Sequence, residues 1–450
     1  MKKMFLFGFL IVSTFFCQTA QATNGDQVIG IGSYGSGMAG AVTAAPGDST
    51  TAITNPAGLT KVGGRTDFNF ELFEPVRTVD FTATGGGTSS GGSTMYMLPD
   101  FSINTQLGDD GTWFLGGGVF LASGMGVDQD VIGTMPFLHP MGLDNQFDGQ
   151  IFSQYQMWKI APALAKKFDK LSVGAALNFD YQQLALRQTF SNATAIPANS
   201  FGPGSPAFGP GQYRIGVDLA TPTGALGYGW ELGLLYDVSE MLSIGATYVS
   251  QQNFGDLNYR LAAGSVNYQV GNTLYTNQNG VYSLSGMNFP AQYSVGAAVR
   301  PLEGLTIAAD FKVINYSSTM KTLNINGAFN TNTGGTPGTA SSMPLSVGWN
   351  DVTVWAVAVQ YQPWESSVVR AGYNRGTTPF GDGATTSNNW AFPAITQSHY
   401  TLGYTQYIGK NWQTTLAYVN APTVNQTGAY GDRISLGGSS YTLGLSYLYK

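Results

Sequence analysis

Leu171-Ser172-Val173-Gly174-Ala175-Ala176-Leu177-Asn178-Phe179-Asp180-Tyr181-Gln182 follows a short turn at Asp169-Lys170. Its odd positions are mostly large and apolar; its even positions are small or polar. Period two marks a β-strand with one oily face and one wet face. The same rhythm recurs along the chain. Phe68, Phe70 and Leu72 alternate with Asp67, Asn69 and Glu71. Trp230, Leu232, Leu234 and Tyr236 turn at 238–240 into Leu242, Ile244, Ala246 and Tyr248. Tyr441, Leu443, Leu445, Tyr447 and Tyr449 close the series. From Arg65 onward about fourteen such segments can be counted, an even number as in bacterial outer-membrane barrels.

Composition agrees with a wall that faces lipid. Charged residues make up 10% of the 450 and aromatics 13%, with 60 glycines; soluble domains carry roughly 25% charge. Mean hydropathy is −0.02, because alternating faces cancel. After residue 22 there is no apolar run of the ~18 residues a helical span needs. Lipid forces the backbone to satisfy its own hydrogen bonds, so a closed sheet is the remaining way across. The expected fold is an all-β, 14-stranded antiparallel transmembrane barrel. A soluble β-sandwich explains neither the low charge nor the loop lengths described below. The formal charge of −6 offers nothing to nucleic acid.

Three regions are expected: a signal peptide over 1–22, a plug over 23–64 and the barrel over 65–450. Lys2 and Lys3 precede an apolar core at 4–17, and Ala20-Gln21-Ala22 is a small-x-small cleavage site. Cys17, the sole cysteine, would leave with the leader, so disulfides play no part. Residues 23–64 are rich in small side chains, including Gly37, Ala39, Gly40, Ala41, Ala44 and Ala45. Such a segment cannot bury enough surface to fold alone, and the lumen is the place that could hold it. Gly30-Ile31-Gly32-Ser33-Tyr34-Gly35 matches the dinucleotide fingerprint, but neither a preceding strand nor a βαβ unit accompanies it.

Connections alternate in length. Long loops are expected at 124–150, 191–223, 261–289, 321–349, 377–397 and 424–438, with short turns between them. Long loops belong outside and short turns in the periplasm. Aromatics at segment ends (Trp113, Tyr236, Tyr248, Tyr361, Tyr404, Trp412, Tyr449) suit the two membrane interfaces. Pro162 breaks a strand, suggesting a bulge, and Gly116-Gly117-Gly118 marks a kink or close backbone approach in the third segment.

Residues that could carry chemistry are few. His139 and His399 lack partners at metal-ligand spacing, and Ser398-His399 lacks the rest of a triad. An enzyme, a cofactor and a metal site are therefore not expected. Alternation points Glu71, Lys159, Asp180, Glu231, Asp310, Lys312 and Arg370 inward. They could form lumen ion pairs or plug contacts, or Lys159, Lys312 or Arg370 could meet an anionic ligand head group. The 124–150 loop is apolar and methionine-rich (Met125, Val131, Met135, Phe137, Leu138, Met141), either as a landing surface for apolar molecules or as a cover for the mouth.

Ala22-Thr23-Asn24-Gly25, Gly37-Met38-Ala39-Gly40-Ala41, Asn55-Pro56-Ala57-Gly58-Leu59 and Glu74-Pro75-Val76-Arg77 together resemble the FadL/TodX (OmpP1) family of outer-membrane transporters for hydrophobic compounds. The resemblance covers the plug and first strand; beyond them it is one of architecture. It implies a fourteen-stranded barrel closed by an N-terminal hatch and a cargo of long-chain fatty acids or aromatic hydrocarbons. Outer loops would capture the ligand, the hatch would rearrange, and release would be sideways through the third strand. By motif match Asn55, Pro56 and Ala57 belong to the hatch; by position Gly116, Gly117 and Gly118 are candidates for the lateral gate. Phe137, Leu138, Met141, Lys159, Lys312 and Arg370 are the ligand-contact candidates. The implied setting is the outer membrane of a Gram-negative bacterium, as a monomer among lipid and lipopolysaccharide. Valine at 116–118 is expected to seal the wall while leaving the barrel intact. A general diffusion porin is the competing reading, and a surface adhesin a third.

Overall fold

The computed structural model describes residues 24–92, 95–134, 146–200, 203–204, 206–270, 273–328 and 340–449. Fourteen antiparallel strands form one closed sheet. β1 is Arg65–Asp80, β2 Tyr96–Leu107 and β3 Trp113–Thr134. β4 runs over Gln146–Ile160 and Ala163–Phe168, β5 over Leu171–Asn192 and β6 over Arg214–Asp237. β7 is Leu242–Val249 continued by Leu257–Val270; β8 is Thr273–Ser285 continued by Gln292–Leu302. β9 is Leu305–Ile314 with Thr322–Ala328, and β10 Ala340–Ser346 with Val352–Trp364. β11 (Ser367–Gly376), β12 (Ser398–Ile408), β13 (Trp412–Thr427) and β14 (Arg433–Leu448) complete the wall. β14 pairs with β1 in unbroken register from Arg65↔Leu448 to Asp80↔Arg433. Closure leaves no free sheet edge.

The alternation sorts side chains as its period requires. Leu177, Phe179, Leu232, Leu402 and Leu443 face outward and are exposed, while Asn178, Glu231, Thr401 and Thr442 face inward and are buried. Exposed apolar side chains in a continuous band are what lipid covers. Two aromatic rings bound the band. Tyr236, Tyr361, Trp412 and Tyr447 lie near the short turns; Trp230, Trp355, Tyr418 and Tyr441 lie six residues away on the same strands. In the upper ring neighbouring strands touch through their rings, as Trp230–Tyr248 and Tyr248–Tyr293 do at 5.0 Å.

The long loops differ from the sequence-based expectation. β3 and β4 pair continuously to Thr134↔Gln146, so most of 124–150 is strand. Hairpins likewise occupy much of 261–289 and 321–349, and 424–438 is reduced to a turn between β13 and β14. Above the membrane the contrast is inverted: Met125, Val131 and Phe147 face inward and are buried while Asp128, Asp130 and Asp148 face out, so the lipid-facing pattern that reveals a strand in sequence is lost. The 377–397 connection is irregular throughout, with one short helix, Gly383–Ser387.

Candidate functional site

Residues 24–64 run through the interior of the barrel. A short helix, Gly32–Gly37, is followed by two 3-10 turns, Ser49–Ile53 and Pro56–Thr60. The chain folds compactly because its side chains are small; Met38, Ala39, Ala41, Ala52, Ala57 and Leu59 are all fully buried. Asn55 begins the last turn. Its Oδ1 accepts from Ala57 N at 3.2 Å, and Pro56 occupies the first position, where no N–H is needed. Asn55 Nδ2 donates to Thr43 O (2.7 Å) and to Leu234 O on β6 (3.1 Å). One side chain thus ties the turn to itself, to the preceding loop and to the wall.

The wall meets this segment with glycines. A side chain at Gly174 would collide with Pro56 and Ala57, at Gly233 with Asn55, at Gly245 with Thr43 and at Gly444 with Ser33. At Gly372 a Cβ would come within 2.7 Å of Ala39 Cβ, and at Gly403 within 3.1 Å of Gly37 Cα. Gly174 pairs with Gly233, and Gly245 with Gly296, so the bare patches adjoin. Sequence reading missed this collar. Its signal was available: glycine at inward positions of successive strands.

Hydrogen bonds from polar wall residues hold the backbone of the segment. Asp310 Oδ2 accepts from Val42 N (2.9 Å) and Thr43 N (2.8 Å). Asn69 accepts from Ser33 N (3.0 Å), Asn374 donates to Ala39 O (3.0 Å), and Asn104 donates to Leu59 O (2.9 Å). Arg65 pairs with Asp67 at 2.7 Å and donates to Gly47 O at 2.9 Å. At the lower rim Lys61 pairs with Asp237. Higher up, the Asp26 carboxylate accepts from Tyr316 OH and from Ser123 Oγ (2.7 Å). Burial pushes the Asp26 carboxyl above its usual range despite these donors. Burial, reinforced by the Asp67 charge, pushes Asp48 up to about 6.

Above the segment lie two zones. The first is polar. Lys159 on β4 faces Asp180 on β5 in register, and Glu231 on β6 lies within the field of both Lys159 and Lys312. The second, nearer the mouth, is apolar: Phe81, Met125, Val131, Phe147, Tyr155, Phe190, Trp349, Trp390 and their neighbours form one buried cluster. The 377–397 loop folds across the mouth to join it. Trp390 packs edge-on against Phe81 (4.9 Å) and Phe190 (6.0 Å), and its Nε1 donates to Asp432 at 2.6 Å. Trp349 Nε1 donates to Asn389 Oδ1 at 2.8 Å. Met125 and Val131 therefore point into the mouth.

The ligand-contact candidates separate. Lys159 and Lys312 share the polar zone through Glu231. Arg370 lies elsewhere: its guanidinium stacks 4.7 Å from the Tyr34 ring and donates to Gln360 (2.7 Å) and Thr405 (2.6 Å). Phe137, Leu138 and Met141 lie outside the described residues, as do His139 and the leader 1–22. His399 is buried, facing inward beside Glu71 and Ile29. Among the described residues no three His, Cys, Asp or Glu side chains come together as a metal site.

Gly116, Gly117 and Gly118 sit where β4 breaks at Ala161-Pro162. Pairing of β3 with β4 resumes on either side, at Gly116↔Ala163 and Val119↔Ile160. Gly117 adopts φ 151°, which disfavours other residues, and a Cβ there would lie 2.7 Å from Ala161 O. At Gly116 it would meet Leu59 Cδ2 at 2.5 Å, and at Gly118 it would strike Phe101 O and the Phe120 ring. The valine replacement expected from sequence to leave the barrel intact is thus sterically blocked at all three positions.

The chain matches, over residues 10–420, the model of a family described as outer membrane protein transport protein (OMPP1/FadL/TodX). It belongs to that family. Its fold is shared by the toluene transporter TbuX of Ralstonia pickettii (TM-score 0.66, 19% identity, covering 94% of this chain and 99% of that one). The P. putida toluene transporter TodX gives 0.65 and 19%, over 94% and 99% of the two chains. A FadL homologue of Pseudomonas aeruginosa gives 0.68 and 16%, over 95% and 100%. No curated protein matches by sequence. Family and barrel together place the chain in the outer membrane of a Gram-negative bacterium, as a transport protein.

Proposed function

We propose that the protein takes up hydrophobic small molecules, either long-chain fatty acids or aromatic hydrocarbons, through a hatch-gated lumen with lateral release. The observation that carries this is the apolar cluster of the mouth, seated in a barrel whose interior is filled below it by residues 24–64. A molecule gaining about 0.8 kcal/mol per buried CH₂ is drawn from water to such a site. From there the polar zone and the N-terminal segment stand between it and the periplasm. Rearrangement of this hatch about Asn55, Pro56 and Ala57 brings the cargo to the wall at Gly116–Gly118. There β4 is interrupted at Ala161-Pro162 beside the three glycines, and an apolar molecule leaves into lipid without entering water. Lys159 and Lys312, with their acidic partners, receive the polar end of the cargo; Arg370 grips the hatch through Tyr34. Residues 1–22 are removed on export, and the barrel acts as a monomer among lipid and lipopolysaccharide.

Liposomes containing the purified protein test the reading. Uptake of labelled toluene or a long-chain fatty acid above protein-free liposomes, with near-silent single-channel recordings, is the expected pair of results. A large steady conductance without uptake of either compound would mean a diffusion porin instead.

A further inference from the structure

Resting on the reading that residues 1–22 are removed on export, we infer that their removal makes the lock of the hatch: the α-ammonium freed at Thr23 seats against the buried Asp26 carboxylate, a site inside the barrel that only the cleaved chain can fill. Asn24, Gly25, Asp26 and Gln27 are all buried, with Asn24 3% and Asp26 5% exposed. Gly25 takes φ 76°, and the tight turn it allows brings Asn24 N within 3.1 Å of Gln27 O. A Cβ at Gly25 would collide with the Tyr316 ring, which packs edge-on against Trp349 at 5.0 Å. Wall atoms hold the turn. Ser123 Oγ on β3 donates to Asp26 O (3.0 Å), as does Gly124 N (3.1 Å), and Tyr316 OH accepts from Asp26 N (3.1 Å). The peptide link to residue 23 therefore starts inside the barrel, beside Tyr316 and Trp349 of the apolar mouth cluster.

What this pocket lacks is a positive charge. The Asp26 carboxylate has donors in Tyr316 and Ser123, yet no cation among the described residues pairs with it; those two hydroxyls and its own backbone are what act against its burial. A buried carboxylate is costly without a counter-charge. Asn24 Oδ1, also buried, has no hydrogen-bond donor among the described residues. Hydrolysis of the Ala22–Thr23 bond by a leader peptidase supplies both needs. Water adds across the bond: the leader leaves with Ala22 as a carboxylate, and Thr23 keeps the nitrogen as an ammonium with three N–H donors. That ammonium lies one peptide unit before Asn24, at the mouth of a turn already folded back on Asp26. Before cleavage the same nitrogen is a neutral amide with a single hydrogen. The leader, apolar over residues 4–17, would also have to find room among Tyr316, Trp349 and their neighbours. The precursor thus has neither the charge nor the space, and its hatch stays unseated.

Mass spectrometry of the protein purified from outer membranes gives its first residue. Reaction of the folded protein in lipid nanodiscs with an amine-acylating reagent gives the accessibility of its α-amine. The expected first residue is Thr23, with its amine acylated about tenfold or more slowly than in the denatured protein. Asp26→Asn should bring acylation close to the denatured rate and speed limited proteolysis of residues 24–64. Inserting Gly-Ser between Ala22 and Thr23 carries the ammonium away from Asp26. It should speed proteolysis to the same extent, and the two changes together should do no more than either alone. An amine that reacts equally fast in the folded and denatured protein, or two changes whose effects add, overturns the inference. A protein that keeps residues 1–22, or begins at another residue, overturns it together with the leader reading. Uptake of toluene or a fatty acid by the same preparation judges the transport reading separately. The wild-type comparison decides the matter even if Asp26→Asn does not assemble.

Discussion

Asn55 shows how much one residue carries. Three hydrogen bonds converge on its side chain from the last 3-10 turn, the Thr43 carbonyl and β6. Net hydrogen bonds are worth about 1 kcal/mol each, more where burial leaves a partner unpaired. Asn55→Ala should therefore loosen the hatch by roughly 2–4 kcal/mol without disturbing the wall. The check is faster limited proteolysis at residues 24–64, while the intact barrel keeps its heat-modifiable migration on gels. Gly233→Ala should give the same phenotype from the other side, because its methyl would strike Asn55 Oδ1. Of this pair only Asn55 was legible in sequence, through Asn55-Pro56-Ala57-Gly58-Leu59. Gly233 was not, since glycine in a strand reads as lost packing until the facing chain is known. Arg370 was legible as an inward charge, but alternation gives the face and not the height, so its place beneath Tyr34 could not be read.

The proposed lateral route lies between the third and fourth strands. Because valine would collide with the Leu59 side chain at Gly116 and with backbone at Gly117 and Gly118, a cross-strand staple is the sharper test. Val119 and Ile160 are register partners and both face lipid, 39% and 51% exposed. Paired Cα atoms about 5 Å apart suit a disulfide. The Val119→Cys, Ile160→Cys double variant should lose most uptake when oxidised and regain it on reduction. Unchanged uptake by the oxidised protein would place the exit elsewhere. Pro162 and the triple glycine were both visible in sequence as defects, yet only the coordinates bring them side by side. Within the hatch, Asp48 offers a pH effect. Its carboxyl titrates at about 6, against a usual 3.8. The seated state therefore holds a proton that the displaced state has given up over this window. Seating is stabilised below about pH 4, weakens as pH rises to about 6, and is level above, a change of about 3 kcal/mol at most. Asp48→Asn should flatten that profile, read again by proteolysis of residues 24–64 between pH 4 and pH 7.5.

At the scale of the whole barrel, strand number, turn placement and outward faces could all be read from period two, because lipid on one side enforces the contrast. Where lipid ends, legibility ends: the extended hairpins above the upper aromatic ring passed for loops. The mouth was half legible. Met125 and Val131 stood out as apolar residues in a supposed loop, whereas Trp349, Trp390 and Phe392 lie in segments that looked like ordinary polar connections. The structure gives that loop a measurable role. Trp390→Ala removes the ring that touches both Phe81 and Phe190 and the donor to Asp432. Truncating a buried aromatic costs about 3–5 kcal/mol of local packing, so the mouth should open. Dye quenching by a water-soluble quencher should rise severalfold, with the barrel's thermal unfolding little changed.

The glycine collar also decides what kind of motion the interior allows. Interlocked side chains must unmesh and change rotamer before one surface can pass another, and that resistance is spread over many soft contacts. A wall that is bare peptide has no rotamers to reset and no knobs to lift out of holes. What resists sliding is a set of polar catches that includes Asp310, Asn69, Asn374, Asn104, Asn55 and Arg65. For the proposed rearrangement, the interior is thus a smooth bore with detents, and its occupant should click between positions rather than melt out of one.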